Sequence, residues 1–294
     1  MTPITDPTAE ISSGYLLIDT LNLPRSLGCD PLPVRVCVPP DLTNIMSLLP
    51  GVVDIESLDA DQLWTVREIM ELQTVGRHPW AICAVLISDL DIEELSKHIA
   101  SLLSVVDDED GPVLWRFFDP RVFSLLLTIY SAELRKALLG PIREWTFAWR
   151  GHWWLASGEG ASHNDLCSFD VAWPTTAQWP IFRLSKLLDQ VLLRTESDTT
   201  LDASDCLEAQ RKAIVFLKQA ASEMNFSEPS EMIDYAFMCV KHGSAFLSHP
   251  QFKQAKAALV SGDLNWWTFK NLLDLRTLPY PGKDTSNNFK GVFR

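Results

Sequence analysis

The sequence predicts an α+β protein: an N-terminal α/β lobe with a mixed sheet and packed helices, followed by a mostly α-helical C-terminal lobe. Three observations carry this expectation. Short apolar runs alternate with helical periodicity through the first half. Two aromatic segments flank Arg150-Gly151-His152 and read as a hairpin. Past Ser157-Gly158-Glu159-Gly160 only helical spacing remains. The implied divisions are 1–160 for the α/β lobe, 161–278 for the helical lobe and 279–294 for a polar, flexible tail.

Each element has its own signal. Tyr15-Leu16-Leu17-Ile18 reads as a short buried strand, with further strands over 34–38 and, rich in β-branched residues, 51–55. Asp59 and Gln62 have capping-box spacing, and Leu63, Val66, Ile69 and Met70 then recur with helical period. Residues 80–87 are apolar at nearly every position, as a central strand covered on both faces should be. Asp91 and Glu94 open a second helix with Leu95, Ile99, Leu102 and Leu103 as its stripe. A strand is expected over 113–118. Asp119-Pro120 then supplies an N-cap carboxylate and a first-turn proline. The following helix, 122–139, is apolar almost all round and should be buried, with Gly140-Pro141 ending it. Residues 145–149 and 153–156 are the hairpin strands. Later helices are expected over 180–194, 205–224, 231–241, 250–261 and 264–275, with 196–205 a mobile link. Ser248 and Gln251 are spaced as a capping box, and Gly262 stops the helix they begin.

Composition narrows the function. The 294 residues carry 38 acidic and 25 basic side chains, a net charge of −13. Residues 1–160 hold 23 of the acids and 11 of the bases, while the remainder holds 15 and 14. No nucleic-acid partner is expected, because such binders need a basic footprint. Met1-Thr2-Pro3-Ile4-Thr5-Asp6 has no signal-peptide pattern, and the apolar runs 81–87 and 122–130 are too short to span a bilayer. The expectation is a soluble, cytoplasmic protein with no membrane partner. Cys29, Cys37, Cys83, Cys167, Cys206 and Cys239 are scattered without Cys-x-x-Cys, as reduced thiols would be.

Catalytic patterns are sparse. No histidine pair has zinc-site spacing, and His163, Asp165 and Cys167 read as a loop rather than a metal site. Gly158-Glu159-Gly160-Ala161-Ser162 lacks the Gly-Lys-Ser/Thr ending of a phosphate loop, and no Gly-x-Ser-x-Gly elbow occurs. The acidic run 107–110 reads as a solvated loop. Neither a cofactor nor a metal is expected. Trp153-Trp154 and Trp266-Trp267 are the candidate partner-binding residues. Neighbouring strand positions face opposite ways, so one ring of the first pair should be core and the other exposed or covered by a neighbour. Neighbouring helix positions differ by about 100°, so the second pair cannot bury both rings on one narrow stripe. Packing between the lobes stands beside partner binding as a use for these rings. Tryptophans left outside a core tend to be interface anchors.

Trp115-Arg116-Phe117-Phe118-Asp119-Pro120-Arg121-Val122 is the most specific string. A buried strand runs into a capped helix, and either arginine can pair with the capping Asp119 and fix the turn. Arg116, Asp119, Pro120 and Arg121 are therefore read as an architectural motif.

The same string resembles the hallmark Phe-Arg-Phe-Tyr/Phe-Asp-Pro-Arg-Val segment of the type VI secretion effector adaptors, the Tap or TEC chaperones. Other pieces follow in order: Tyr15-Leu16-Leu17-Ile18-Asp19, Trp80 before a strand ending in Ser88, Leu95 and His98 leading to Leu102-Leu103, and Gly140-Pro141-Ile142. The resemblance covers about residues 14–155. One departure is Gly76-Arg77-His78-Pro79-Trp80, where the family has Gly-Trp. The resemblance implies a non-enzymatic adaptor that binds a toxic effector, through its N-terminal or spike-tip region, and loads it onto the VgrG spike. The helical lobe, where the resemblance stops, is then expected to set effector specificity. Two other classes remain open from the residues alone. One is a hydrolase using carboxylates with His152 or His163; the other is an immunity-type protein that caps a basic toxin with its acidic lobe.

Overall fold

Buried β-branched and aromatic strands organise the first half of the chain. The computed structural model describes residues 1–24, 31–75, 80–107, 111–160, 172–198 and 200–273. It separates into two units, Met1–Thr175 and Thr176–Arg294.

The first unit is built on a seven-stranded sheet. In chain order its strands are β1 (Thr2–Ile4), β2 (Tyr15–Asp19), β3 (Arg35–Val36), β4 (Pro50–Asp54), β5 (Ile82–Ser88), β8 (Ile142–Trp149) and β9 (His152–Ser157). Their spatial order is β1-β9-β8-β5-β2-β4-β3. Between β5 and β8 in the chain, β6 (Ser104–Asp107) and β7 (Gly111–Leu114) form a separate two-stranded ribbon. The fold class is α+β, as read from the sequence, but every described strand pair is antiparallel rather than mixed. The reason lies in β2. Helix α1 (Ala60–Val75) connects β4 to β5 as a crossover would, yet β2 lies between those strands and runs antiparallel to both.

Helices cover both faces of the sheet. Val66 and Met70 of α1 pack with Leu16, Ile18, Val53, Ile82, Val85, Ala148 and Trp153. The register between β2 and β5 shifts by one residue between Leu17 and Ile18, which puts Ile82 and Val85 in that same cluster. On the other face, Phe123 of α3 (Pro120–Ile129) stacks on Trp145 at 4.2 Å and meets Phe147 edge-on at 5.2 Å. The capping box of α1 forms as expected: Gln62 N donates to Asp59 Oδ1 (2.8 Å) and Asp59 N to Gln62 Oε1 (3.1 Å). Asp91 likewise caps α2 (Ile92–Leu103). The β8–β9 turn is Arg150-Gly151, both at positive φ (56° and 74°), the geometry that suits a two-residue hairpin.

Several elements differ from expectation. The expected strand over 113–118 ends at Leu114, because the chain then turns into the cap of α3. The single helix expected over 122–139 is two, α3 and α4 (Ala132–Leu139), since Ser131 starts a new helix by accepting from Leu134 N. In the second unit, α5 (Trp179–Arg183) and α6 (Ser185–Asp198) replace the helix expected over 180–194. The expected mobile link is partly helical: 196–198 end α6, and Asp202 caps α7 (Ala203–Glu223). Helix α8 (Pro229–Ser248) absorbs Ser248, so the Ser248–Gln251 capping box does not form; Glu228 and Glu231 make one at the start of α8 instead. Gly243 breaks α8 internally at φ 55°. Gly262 ends α9 (Pro250–Ser261) in the left-handed region, as expected.

The second unit has an aromatic core in which Tyr235, Phe246, Phe252 and Trp266 meet with centroid separations from 4.7 to 6.4 Å. Asp234, buried on α8, accepts from Trp266 Nε1 (2.9 Å), Lys270 Nζ (2.6 Å) and Arg194 Nη1 (3.1 Å). It thereby ties α6 and α8 to α10 (Trp266–Leu272). Residues 161–171, with His163, Asp165 and Cys167, lie outside the described residues, as do Cys29, 76–79, 108–110 and the expected tail.

Candidate functional site

The motif Trp115 to Val122 sits where the chain leaves β7 and enters α3. Trp115 N donates to Leu103 O (2.8 Å), and Asp119 N donates back to Arg116 O (3.1 Å), closing a turn. Phe117 and Phe118 are fully buried, which pins that turn against the sheet. Asp119 then caps α3: its Oδ1 accepts from Arg121 N (2.9 Å), and Pro120 occupies the first turn.

Each arginine of the motif holds a different carboxylate. Arg121 grips Asp119 with two bonds, Nε to Oδ1 at 3.0 Å and Nη2 to Oδ2 at 2.6 Å. Arg116 turns away from Asp119 and donates from Nη2 to Asp19 Oδ2, at the end of β2. Asp19 is buried, and it also accepts from Asn22 Nδ2 (2.6 Å) and Leu21 N (3.2 Å). Aromatic faces complete the arrangement: Arg116 lies 5.1 Å above Phe118 and Arg121 5.7 Å above Trp80. The outcome is a charged latch of two carboxylates and two guanidiniums joining the ends of β2 and β5 to the start of α3.

In the sequence Asp19 stands out only as the last residue of Tyr15-Leu16-Leu17-Ile18-Asp19. Its signal was an acidic residue closing an otherwise apolar buried strand, a position that requires a cationic partner. Nothing local says which cation. Cys83 lies beside the latch; burial, with Asp119 and Asp19 close by, pushes its thiol well above the usual range. Such a thiol is a poor nucleophile. Cys37, Cys206 and Cys239 are also buried and unbridged, and burial lifts Cys37 to about 12.

The tryptophan candidates separate in the structure. Trp153 sits opposite Ala148 in the α1-side cluster, and Trp154 sits opposite Phe147 on the other face, its Nε1 donating to Trp149 O at 2.9 Å. Both are buried because both faces of the sheet are covered. Trp266 is buried against Asp234, while Trp267 is 40% exposed with Lys270 Nζ 5.3 Å above its ring. Three of the four candidates therefore have core packing roles, and only Trp267 presents a ring to solvent.

Of the histidines proposed for a hydrolase, His152 begins β9 and stands edge-on to Trp154 at 6.2 Å. Among the described residues no group of three His, Cys, Asp or Glu side chains could hold a metal ion, and no helix is long and apolar enough to cross a membrane. His98 on α2 is a strongly perturbed imidazole. It bonds the backbone of Leu138, and burial drives its pKa down to about 4. Its ring abuts Gly140, where a Cβ would fall 2.5 Å from His98 Cε1.

The fold and the latch together define an α+β scaffold whose charged centre is occupied with holding a strand-to-helix junction. Residues 39–137, about a third of the chain, match the family described as a domain of unknown function (DUF4123), and this stretch contains Arg116, Asp119, Pro120 and Arg121. No curated protein and no solved structure matches the chain.

Proposed function

We propose that this protein is a cytoplasmic, non-enzymatic adaptor that binds a type VI secretion effector and loads it onto the VgrG spike. The DUF4123 family is associated with type VI effector adaptors. The observation that carries the reading is the match over 39–137 together with the motif inside it. The latch supports it physically, because its charged groups are engaged with one another and serve shape. In this reading the first unit is the common scaffold, and the helices from α5 onward suit themselves to the client. An adaptor needs apolar surface bordered by polar groups rather than a tuned pocket.

The test is co-expression with the candidate toxin and spike protein drawn from the genes around its own. Co-purification of the toxin through its N-terminal or spike-tip region, together with lost toxin secretion on gene deletion, is the expected result. Secretion that persists without the gene, with no co-purification, overturns the proposal.

A further inference from the structure

Helix α1 turns one side to the sheet and leaves a second, unlike side to solvent. Val66 and Met70 are buried in the sheet cluster. Trp64 is 63% exposed and Leu72 69% exposed. Asp61, Glu68 and Glu71 are exposed on the same helix. At about 100° per residue, Glu71, Trp64, Glu68, Asp61 and Leu72 fall within about a 100° arc. The stripe from Asp61 to Leu72 is about 16 Å long at about 1.5 Å per residue. It is an acidic ridge with an indole in its middle and a leucine at its end.

Nothing in the described residues neutralises it. Asp61, Glu68 and Glu71 make no ion pair there. The helix's own cation, Arg67, is committed elsewhere: its Nη2 donates to Ile11 O at 2.7 Å. An exposed tryptophan ringed by carboxylates suits a guanidinium, which can stack on the indole while bonding an acid. The excess of acids over bases in residues 1–160 favours the same sign of partner and steers its approach. A second copy of this chain would set carboxylate against carboxylate, and an anionic membrane surface would be repelled.

We propose that the outer stripe of α1 docks a basic amphipathic helix of a partner protein. Its arginines lie between Glu68, Glu71 and Asp61 and over Trp64, and its apolar side covers Leu72. The ridge itself is argued without reference to the adaptor reading; identifying the partner as the secreted client rests on it.

Two measurements separate the claims. The intact protein, labelled with 5-fluorotryptophan, is titrated with a synthetic amphipathic helix bearing arginine on its polar face, and with a twin bearing glutamate. The Trp64 resonance, assigned with Trp64→Phe, should move with the arginine peptide alone and return as salt is raised. An unmoved resonance, or equal movement with both peptides, overturns the proposal. In the co-purification experiment, Trp64→Ala and the pair Glu68→Lys, Glu71→Lys should keep the unaltered melting temperature and retain about tenfold less client. Full retention by these variants overturns the docking stripe and leaves the adaptor reading standing. Failure of the unaltered protein to retain client overturns the adaptor reading, and the peptide titration still decides the stripe.

Discussion

Arg116 and Asp19 are 97 residues apart in the chain and joined by an ion pair, with the carboxylate buried and the guanidinium about a third exposed. The two partners are thus unequal. Removing the arginine strands a buried charge, whereas removing the acid leaves a guanidinium that water can reach.

Arg116→Ala should therefore cost about 3–5 kcal/mol, the range for breaking a buried ion pair by removing one partner. Asp19→Asn should cost about 1–2 kcal/mol, because its single amide oxygen can still accept from Leu21 N and the guanidinium it leaves behind is open to water. Denaturant midpoints of the two variants and the double variant measure both costs and the coupling. Equal costs would contradict the asymmetry.

Asp119→Ala removes the cap of α3 and the partner of Arg121 together. The cap alone is worth about 0.5–2 kcal/mol. A total of about 1–3 kcal/mol is expected by thermal or urea unfolding, with Asp119→Asn milder because an asparagine can still cap. An unchanged melting temperature would count against the latch.

His98 makes folding pH-dependent. In the unfolded chain it protonates near 6.5, but in the folded protein only near 4. Between those values the unfolded state holds the extra proton, so stability falls as pH drops from 6.5 to 4. The loss is about 3 kcal/mol across that window. Comparing urea midpoints of the protein and its His98→Gln variant through this range isolates the effect, which the variant should lack. Identical pH slopes would reject it.

Tryptophan substitutions should divide sharply. Trp154→Ala and Trp266→Ala each open a cavity in a sealed core and should cost about 3–5 kcal/mol. Trp267→Ala, at a half-open site, should stay within about 0.5 kcal/mol. Circular-dichroism melts distinguish these directly, and a small effect at Trp154 would mean that its face of the sheet is uncovered.

Local chemistry was legible in the sequence. Asp59 with Gln62, Asp119 with Pro120, and Gly262 each carry their partners within three residues, and each forms the cap that its spacing specifies. What escaped was non-local or masked by burial. The Tyr130–Ser131 break, with Ser131, Ala132 and Glu133 exposed after it, is set by the Ser131 hydroxyl capping the next helix, and a serine between two stretches of helical spacing reads equally well as an interior position. Strand β1 is three largely exposed residues with no alternation to read. For Trp153-Trp154 the sequence leaves the second ring either exposed or covered by a neighbour, and only the packed layer on each face of the sheet decides that it is covered. Arg116 had a nearby acid, Asp119, and took a distant one. Only the folded sheet brings the end of β2 to it.

The pairing of β1 with β9 also sets an order of events during synthesis. Thr2, Pro3 and Ile4 lie opposite Leu155, Trp154 and Trp153, so a strand made early finds its ladder among the last strands of the sheet to be made. Until that hairpin has emerged, Leu16, Leu17 and Ile18 also lack the completed layers that seal them. Long-range closure of this kind slows folding and leaves apolar strands open to premature association. A fusion joined directly before Thr2 extends straight from that edge strand and should lower the soluble yield relative to the same fusion set off by a flexible linker.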